Sequence, residues 1–397
     1  MFTNCHTHIF NIRCAPNGFA GIKIAKRFSR APWLPRGIAF ALRRVLPGRR
    51  DKLEKLANFL KIGISKRQSD VFKALASHYR SDDRFVVLTM DMHHMGAGPS
   101  EIDFMSQIFQ VRELKLEQRE RMIPFLGVDP RRLRGKELRD FVARFIERYG
   151  FGGIKLYTPL GFYPFDPGLD DLYAYAQDMQ IPIMSHCSQG GIYFQNEVIT
   201  EEQIRPNDLD GKKAIRYRMD ENGNLHEAGF HDYISMAPDL KYFLGIRRGK
   251  NRRNKKFSLN FSNPINYINV LEKYPRLKLC LAHFGGDGQI EEYLDSPTDD
   301  NWHLVVRRLM RRYEHVYSDV SYALWNKKAW YPIRETINDE EIGSKVLFGT
   351  DYYMTLQEKG EGRLVRDFRR SLTQKEFEKI LIENPQSYLK MRFNENR

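Results

Sequence analysis

The chain reads as an α/β protein, a (β/α)8 TIM barrel with two long insertions after its first and fifth strands. Three observations predict this: eight short apolar runs, amphipathic segments between most of them, and His or Asp at the ends of several runs. The runs are Phe2–Phe10, Phe85–Met92, Met122–Val128, Gly152–Tyr157, Ile181–Ser185, Leu277–Ala282, Val316–Val320 and Val346–Gly349. Most are continuously apolar, the pattern of parallel strands covered on both faces.

The intervening segments carry helical spacing. Glu101–Glu120 places Ile102, Met105, Ile108, Phe109 and Leu116 on one stripe, and Gly135–Tyr149 does the same with Leu138, Phe141, Val142, Phe145 and Ile146. Asp170–Met179, Pro264–Tyr274, Trp302–Tyr313 and Gln374–Glu383 are further helices. Strands alternating with helices make βαβ units and a parallel sheet. Eight such units close into a barrel more readily than they spread into an open sheet.

A barrel of this kind needs about 250 residues, and the chain has 397. The excess falls in two connections within one unit spanning 1–397. Residues 11–84 hold Pro32, Pro35 and Pro47 and read as a basic helical insertion. Residues 189–263 hold Asp220-Glu221-Asn222-Gly223-Asn224, a hairpin tip, and then a basic stretch. Both follow strands, on the face where barrel enzymes place their active sites.

With 42% hydrophobic and 29% charged residues, the chain can pack a core, which excludes wholesale disorder. Cys5, Cys14, Cys187 and Cys280 match no finger or CxxC spacing and read as reduced thiols. No secretory leader or 18-residue apolar run stands out, so a cytoplasmic protein is expected. The net charge of +14 is concentrated in two places. Ala20–Lys61 has 12 Lys and Arg against Asp51 and Glu54, and Arg247–Lys256 has seven cations in ten residues. Such charge suits phosphate, acidic lipid or nucleic acid. The decapeptide lacks interleaved aromatics for base stacking, which argues against nucleic acid. Ala20–Lys61 does interleave its cations with apolar residues such as Phe28, Trp33 and Phe40. That fits a helical lid over the barrel mouth, or a helix lying on an anionic membrane.

Chemistry enters with Asn4-Cys5-His6-Thr7-His8. Alternate strand residues share a face, so His6 and His8 project together and can reach one ion, while Cys5 turns away from it. Two core histidines, each with a hydrogen-bond partner, fit this pair alone equally well. Three more groups sit where strands leave the barrel: His186, His283 and Asp351. Strand ends converge on one mouth, and histidines buried beside a carboxylate are costly unless paired or metal-bound. His93 and His94 end the second strand at the same mouth, as substrate contacts or as rim. Asp319 reads as a strand-end hydrogen bonder, and His226, His231, His303 and His315 as surface residues.

Together these pieces resemble the amidohydrolase superfamily, in the amidohydrolase-related branch that contains hydrolases and non-oxidative decarboxylases. The matching motifs are His6-Thr7-His8, Gly153-Ile154-Lys155-Leu156, Ser185-His186, Ala282-His283-Phe284-Gly285-Gly286, Phe348-Gly349-Thr350-Asp351 and Glu383-Asn384-Pro385 onward. They run in order along nearly the whole chain, outside the two insertions. The resemblance implies that His6, His8, His186 and Asp351 bind one divalent metal, Zn2+ by preference. It implies that His283 sits beside the attacking water or the substrate, and that Asp351 also shuttles the proton. Lys155 is either carbamylated, bridging a second metal, or has no ligand role. Asn4 departs from the pattern, standing where the family usually has an acid; Tyr353 stands where it often has proline.

The resulting expectation is a metal-dependent hydrolase of an amide, lactone or similar carbon–heteroatom bond. Its alternative is a non-oxidative decarboxylase of an aromatic or unsaturated acid, and from another class a basic scaffold for nucleic acid or acidic membrane. An anionic small-molecule substrate and a homodimer are expected.

Overall fold

The computed structural model describes residues 1–18, 62–63, 65, 67–196, 198–228 and 247–392. The whole basic segment Ala20–Lys61, and with it the lid expectation, lies outside the described residues, as does His231.

The strands are β1 (Thr3–Thr7), β2 (Arg84–Leu88), β3 (Met122–Val128), β4 (Gly153–Leu156), β5 (Ile183–Ser185), β6 (Arg216–Met219), β7 (Leu225–Ala228), β8 (Leu279–Leu281), β9 (Val316–Asp319) and β10 (Val346–Leu347). Eight form one parallel sheet in the order β1-β2-β3-β4-β5-β8-β9-β10. Its ends meet. Cys5 N donates to Phe348 O at 2.8 Å, Asp351 N donates to His6 O at 2.9 Å, and Thr7 bridges Tyr352 in parallel. The expected barrel is therefore present. The pair left over, β6 and β7, is an antiparallel hairpin turned at Asp220–Asn224, where the tip was expected. Asp220 Oδ1 accepts Asn222 N and Asn224 N at 2.9 Å each, which closes that turn.

Two apolar layers organise the barrel. Residues such as Phe85, Val87, Ile154, Leu156, Leu279 and Leu281 face the surrounding helices in the large core. Their neighbours Val86, Leu88, Phe125, Met184, Cys280 and Leu347 form a second, smaller cluster that fills the barrel. Alternation along each strand makes this division. Tyr388 closes the lower end, its hydroxyl donating to Ile183 O at 2.9 Å.

β1 breaks the alternation. Asn4 pairs with Phe85 and Thr7 with Val87, so three steps on β1 oppose two on β2. This extra residue is a β-bulge. It turns Cys5 inward, into the cluster that fills the barrel, and His6 inward as well, against Asp319. The expectation that Cys5 turns away is therefore corrected, although its reading as a small core residue holds. All four cysteines are buried, and none is in a disulfide.

The helices follow the periodicity with trimmed ends. Gly135–Tyr149 forms as expected, with Leu138, Val142, Phe145 and Ile146 buried and Gly150 (φ 69°) ending it. The helix expected from Glu101 starts at Phe104, because Asp103 caps it by accepting Ser106 N. Pro264–Tyr274 becomes a 3-10 turn followed by a short helix, Ile268–Leu271. Helices at Gln68–Ala76, Arg247–Ser262, Asp287–Asp295, Trp330–Asn338 and Glu361–Ser371 complete the larger elements. Among the described residues, no helix is long and apolar enough to cross a membrane.

His303 is corrected from surface to core: it is fully buried on helix Trp302–Arg312, with its Nδ1 3.3 Å from Phe284 O. That helix buries nearly its whole circumference under the loop after β8, so a polar residue on it does not mark the solvent side. His226 is exposed and His315 partly so.

Candidate metal centre

The C-terminal ends of the strands bring His6, His8, His186, His283, Lys155 and Asp351 into one buried region. Two loop geometries make this possible. Asp351 (φ 57°) and His283 (φ 70°) both hold left-handed backbone, uncommon without glycine, as the chain leaves β10 and β8. Gly349 lets β10 approach β1: a Cβ there would lie 2.6 Å from His6 Cβ.

His6 and His8 are oriented by their Nδ1 atoms. His6 Nδ1 lies 2.8 Å from Asp319 Oδ2, and His8 Nδ1 donates to Leu88 O at 3.1 Å. Each Nε2 is thereby aimed at the same place, as metal-ligating histidines are when a second group holds the other nitrogen. His8 Nε2 is 3.4 Å and His6 Nε2 3.7 Å from Asp351 Oδ1. His6 Nε2 and Asp351 Oδ1 are buried with no hydrogen-bond partner. Orphaned buried polar atoms are costly. Here they face one another across a gap that a divalent cation fits, and the donor set of two imidazoles and a carboxylate suits Zn2+ or a similar ion. Burial pushes the pKa of His8 down to about 3 and that of His6 well below its ordinary value, so both rings are neutral, the form that binds metal. Burial pushes Asp351 up, against the pull of Lys155.

His186 joins this group through another ring. Its Nδ1 is 3.2 Å from His283 Nε2, and its Nε2 is 3.0 Å from Gly190 O and 3.1 Å from Ser188 Oγ. Tyr157 stacks on it with ring centroids 4.4 Å apart. Among the described residues, the groups with metal-ligand spacing are His6, His8 and Asp351, and an overlapping set of His6, His283 and Asp319. His186, expected as the fourth ligand, is in neither. Burial lowers its pKa to about 3 and holds His283 well below its ordinary value.

Lys155 is buried with its Nζ unpartnered, and burial lowers its pKa to about 8. Asp319 acts as the hydrogen bonder the sequence suggests, accepting His283 N at 3.1 Å and Ser321 N at 3.0 Å. His93 and His94 sit on a short turn (His93–Met95), His93 exposed and His94 half-buried. Neither lines the cavity described next.

Sequence reading missed three residues here. Ser321 Oγ donates to Asp319 and lies 3.1 Å from His6 Nδ1 and 2.8 Å from His283 Nδ1, tying two rings to one carboxylate. Tyr157 and Glu361 also contribute. None stands in a motif; Ser321 could have been found only as the next inward position after Asp319.

Above these groups opens a cavity of about 630 Å3. His8, His186, His283 and Asp351 line its floor, and Phe10, Met90, Tyr157, Tyr322, Tyr353 and Met354 its walls. Gln189, Gln289 and Gln357 add neutral polar groups, and none of its described lining residues is Lys or Arg.

No curated protein matches the chain in sequence. Among solved structures, an amidohydrolase II is similar at 14% identity and a TM-score of 0.50, covering 98% of this chain and 99% of that one. A 5-carboxyvanillate decarboxylase from Novosphingobium aromaticivorans, complexed with manganese, is similar at 13% identity and a TM-score of 0.49, covering 98% and 96%. A 4-oxalomesaconate hydratase from Rhodopseudomonas palustris follows at 12% and 0.46, covering 98% and 95%. At these identities the likeness concerns the fold. The sequence profile of the amidohydrolase family matches residues 4–390, which takes in every residue of the centre, and the chain belongs to that family.

Proposed function

We propose that the protein is a metal-dependent hydrolase that cleaves an amide, lactone or similar carbon–heteroatom bond. The observation that carries this is the pair of buried, unpartnered atoms, His6 Nε2 and Asp351 Oδ1, with His8 Nε2 3.4 Å from the latter. These three residues would hold the ion, with His186 completing the set by leaving His283. A bound divalent cation supplies Lewis acidity, polarising a carbonyl and making water a better nucleophile. Asp351 accepts the attacking water's proton and returns it to the leaving group. His283, fixed by Ser321 and by the bond from its N–H to Asp319, is placed to hold the water or the substrate oxygen.

A second reading is non-oxidative decarboxylation. The cavity favours it: aromatic and methionine walls without a described Lys or Arg suit a planar acid whose carboxylate meets the metal as its cation. In that case the carbon–carbon bond breaks, carbon dioxide leaves, and Asp351 or His283 returns a proton to the ring carbon.

The metal-loaded protein should be given a panel of lactones, amides and aromatic carboxylates in 18O-labelled water. Hydrolysis puts one label in the product and releases no carbon dioxide. Decarboxylation releases carbon dioxide and takes a solvent proton instead. Turnover of the whole panel that is unchanged after chelation would rule out both.

A further inference from the structure

The seam that closes the barrel lies between β1 and β10, and His6 and Asp351 stand on its two sides. β10 is only two residues long, and four backbone bonds cross the seam: Cys5 N to Phe348 O, Thr350 N and Asp351 N to His6 O, and His8 N to Tyr352 O. A side-chain network adds to them. Asn4 Oδ1 accepts Thr350 N and His6 N, each at 3.2 Å. Asn4 Nδ2 donates to Tyr79 Oη and to Thr350 Oγ1, each at 2.9 Å. Those hydroxyls donate onward to Glu361 Oε1, at 2.6 Å from Tyr79 and 2.9 Å from Thr350. Asn4 and Glu361 are both buried.

The proton arithmetic gives this network one direction. Each hydroxyl has a single proton, which goes to Glu361, and each accepts one of the two amide protons of Asn4. A carboxylate at position 4 would leave the hydroxyls between two acceptors with no amide proton to receive. Two buried carboxylates sharing the same donors would also repel one another.

We infer that Glu361 is a positioning residue of the metal centre. Matched to Asn4 through Tyr79 and Thr350, it registers β10 on β1 and so sets the separation of His6 and Asp351. The inference rests on the metal-site reading above, and it adds to that site a residue that touches neither ion nor substrate. Glu361 enters from helix Glu361–Ser371, outside the barrel wall.

The network can be reversed, and that reversal is the test. In Asn4→Asp/Glu361→Gln the amide sits at 361, the carboxylate at 4, and the hydroxyl protons turn round. Zn2+ affinity of the full chain is measured by competition with a chromophoric chelator, well below the melting temperature, and melting is measured metal-free. Asn4→Asp alone should bind Zn2+ at least about tenfold more weakly, the usual loss when a ligand's supporting partner is removed. The double variant should return to within about threefold of the native protein, less than one hydrogen bond is worth. A double variant no better than Asn4→Asp, or an unaltered Asn4→Asp, overturns the inference. If Asn4→Asp does not fold, the double variant must still fold and bind; failure of both overturns it. A pair that only holds the fold together would shift melting and leave Zn2+ affinity unmoved. If the native protein binds no Zn2+, the metal reading fails instead. The pairing is then judged by metal-free melting, where losses that add in the double variant overturn it and recovery supports it.

Discussion

The two halves of the centre are built on opposite terms. On the seam side, His6, His8 and Asp351 converge, with His6 Nε2 and Asp351 Oδ1 unpartnered, while Asp319 and Leu88 O hold the outer nitrogens of the two rings. On the loop side, His186 and His283 have partners on both nitrogens, including each other at 3.2 Å. The first half leaves buried polar atoms that the protein chain does not satisfy. The second is already satisfied by it. An unpartnered nitrogen is not enough to mark the first half: His303 Nε2 is also buried and orphaned, yet its ring lies against Tyr293 and Phe284, and among the described residues it joins no group with metal-ligand spacing. What separates His6 from His303 is the second imidazole and the carboxylate that face it.

The contrast is broken most directly by removing the seam side. His6→Ala combined with His8→Ala should take the metal content from about one equivalent to none, the outcome for a site with a minimal ligand set. Elemental analysis of the purified variant checks it, and undiminished metal would place the ion elsewhere. Asp351→Asn should cost about 10²–10⁴-fold in turnover, since an amide cannot shuttle a proton. A variant that turns over normally would remove Asp351 from the chemistry. His283→Asn tests the loop side: turnover should fall about a hundredfold while metal content stays near that of the native protein. Loss of metal there would make His283 itself a ligand and redraw the site.

The smallest effect concerns His303. Burial pushes its pKa down to about 3, against an ordinary value of 6.5. Between those values the unfolded chain holds a proton that the folded chain does not. Stability is therefore full above about pH 6.5 and falls as pH drops through the window. His303→Leu should flatten that fall by about 1.4 kcal/mol per pH unit, one proton's worth. Urea unfolding of the metal-free protein at pH 7, 6 and 5 gives the slope. An unchanged slope would show that His303 is not held neutral.

The barrel was legible because its strands lie within apolar runs, most of them continuous, and Met122–Val128 matches to the residue. Helices were legible where the apolar stripe is wide, as in Gly135–Tyr149. They were not where polar residues dominate, as in Asp287–Asp295, or where three apolar positions suffice, as in Glu361–Ser371. In the centre, the convergence of His6, His8 and Asp351 could be anticipated from the sequence because the polar groups that end barrel strands meet at one mouth. The substitution of Asn4 was visible there, but its reason was not. Its counterpart Glu361 lies 357 positions away on an unpredicted helix, and no spacing rule connects them. The inward turn of Cys5 was hidden for a related cause: a bulge is a relation between two strands, and one strand's sequence does not contain it.

The bulge in β1 has a consequence for anyone rebuilding this protein. With one extra residue between Asn4 and Thr7, the strand changes phase halfway along. Its lower half obeys one inside–outside frame, ending with Cys5 in the barrel, and its upper half obeys the other, beginning with His6. A one-residue deletion here would act as a frame shift. It would straighten the strand and send either Cys5 or the two imidazoles through the barrel wall. Transplanting His6-Thr7-His8 onto a regular strand would deliver the same letters with one face misassigned. The portable unit is the bulge together with its ligands, and a design that copies the motif must copy the irregularity with it.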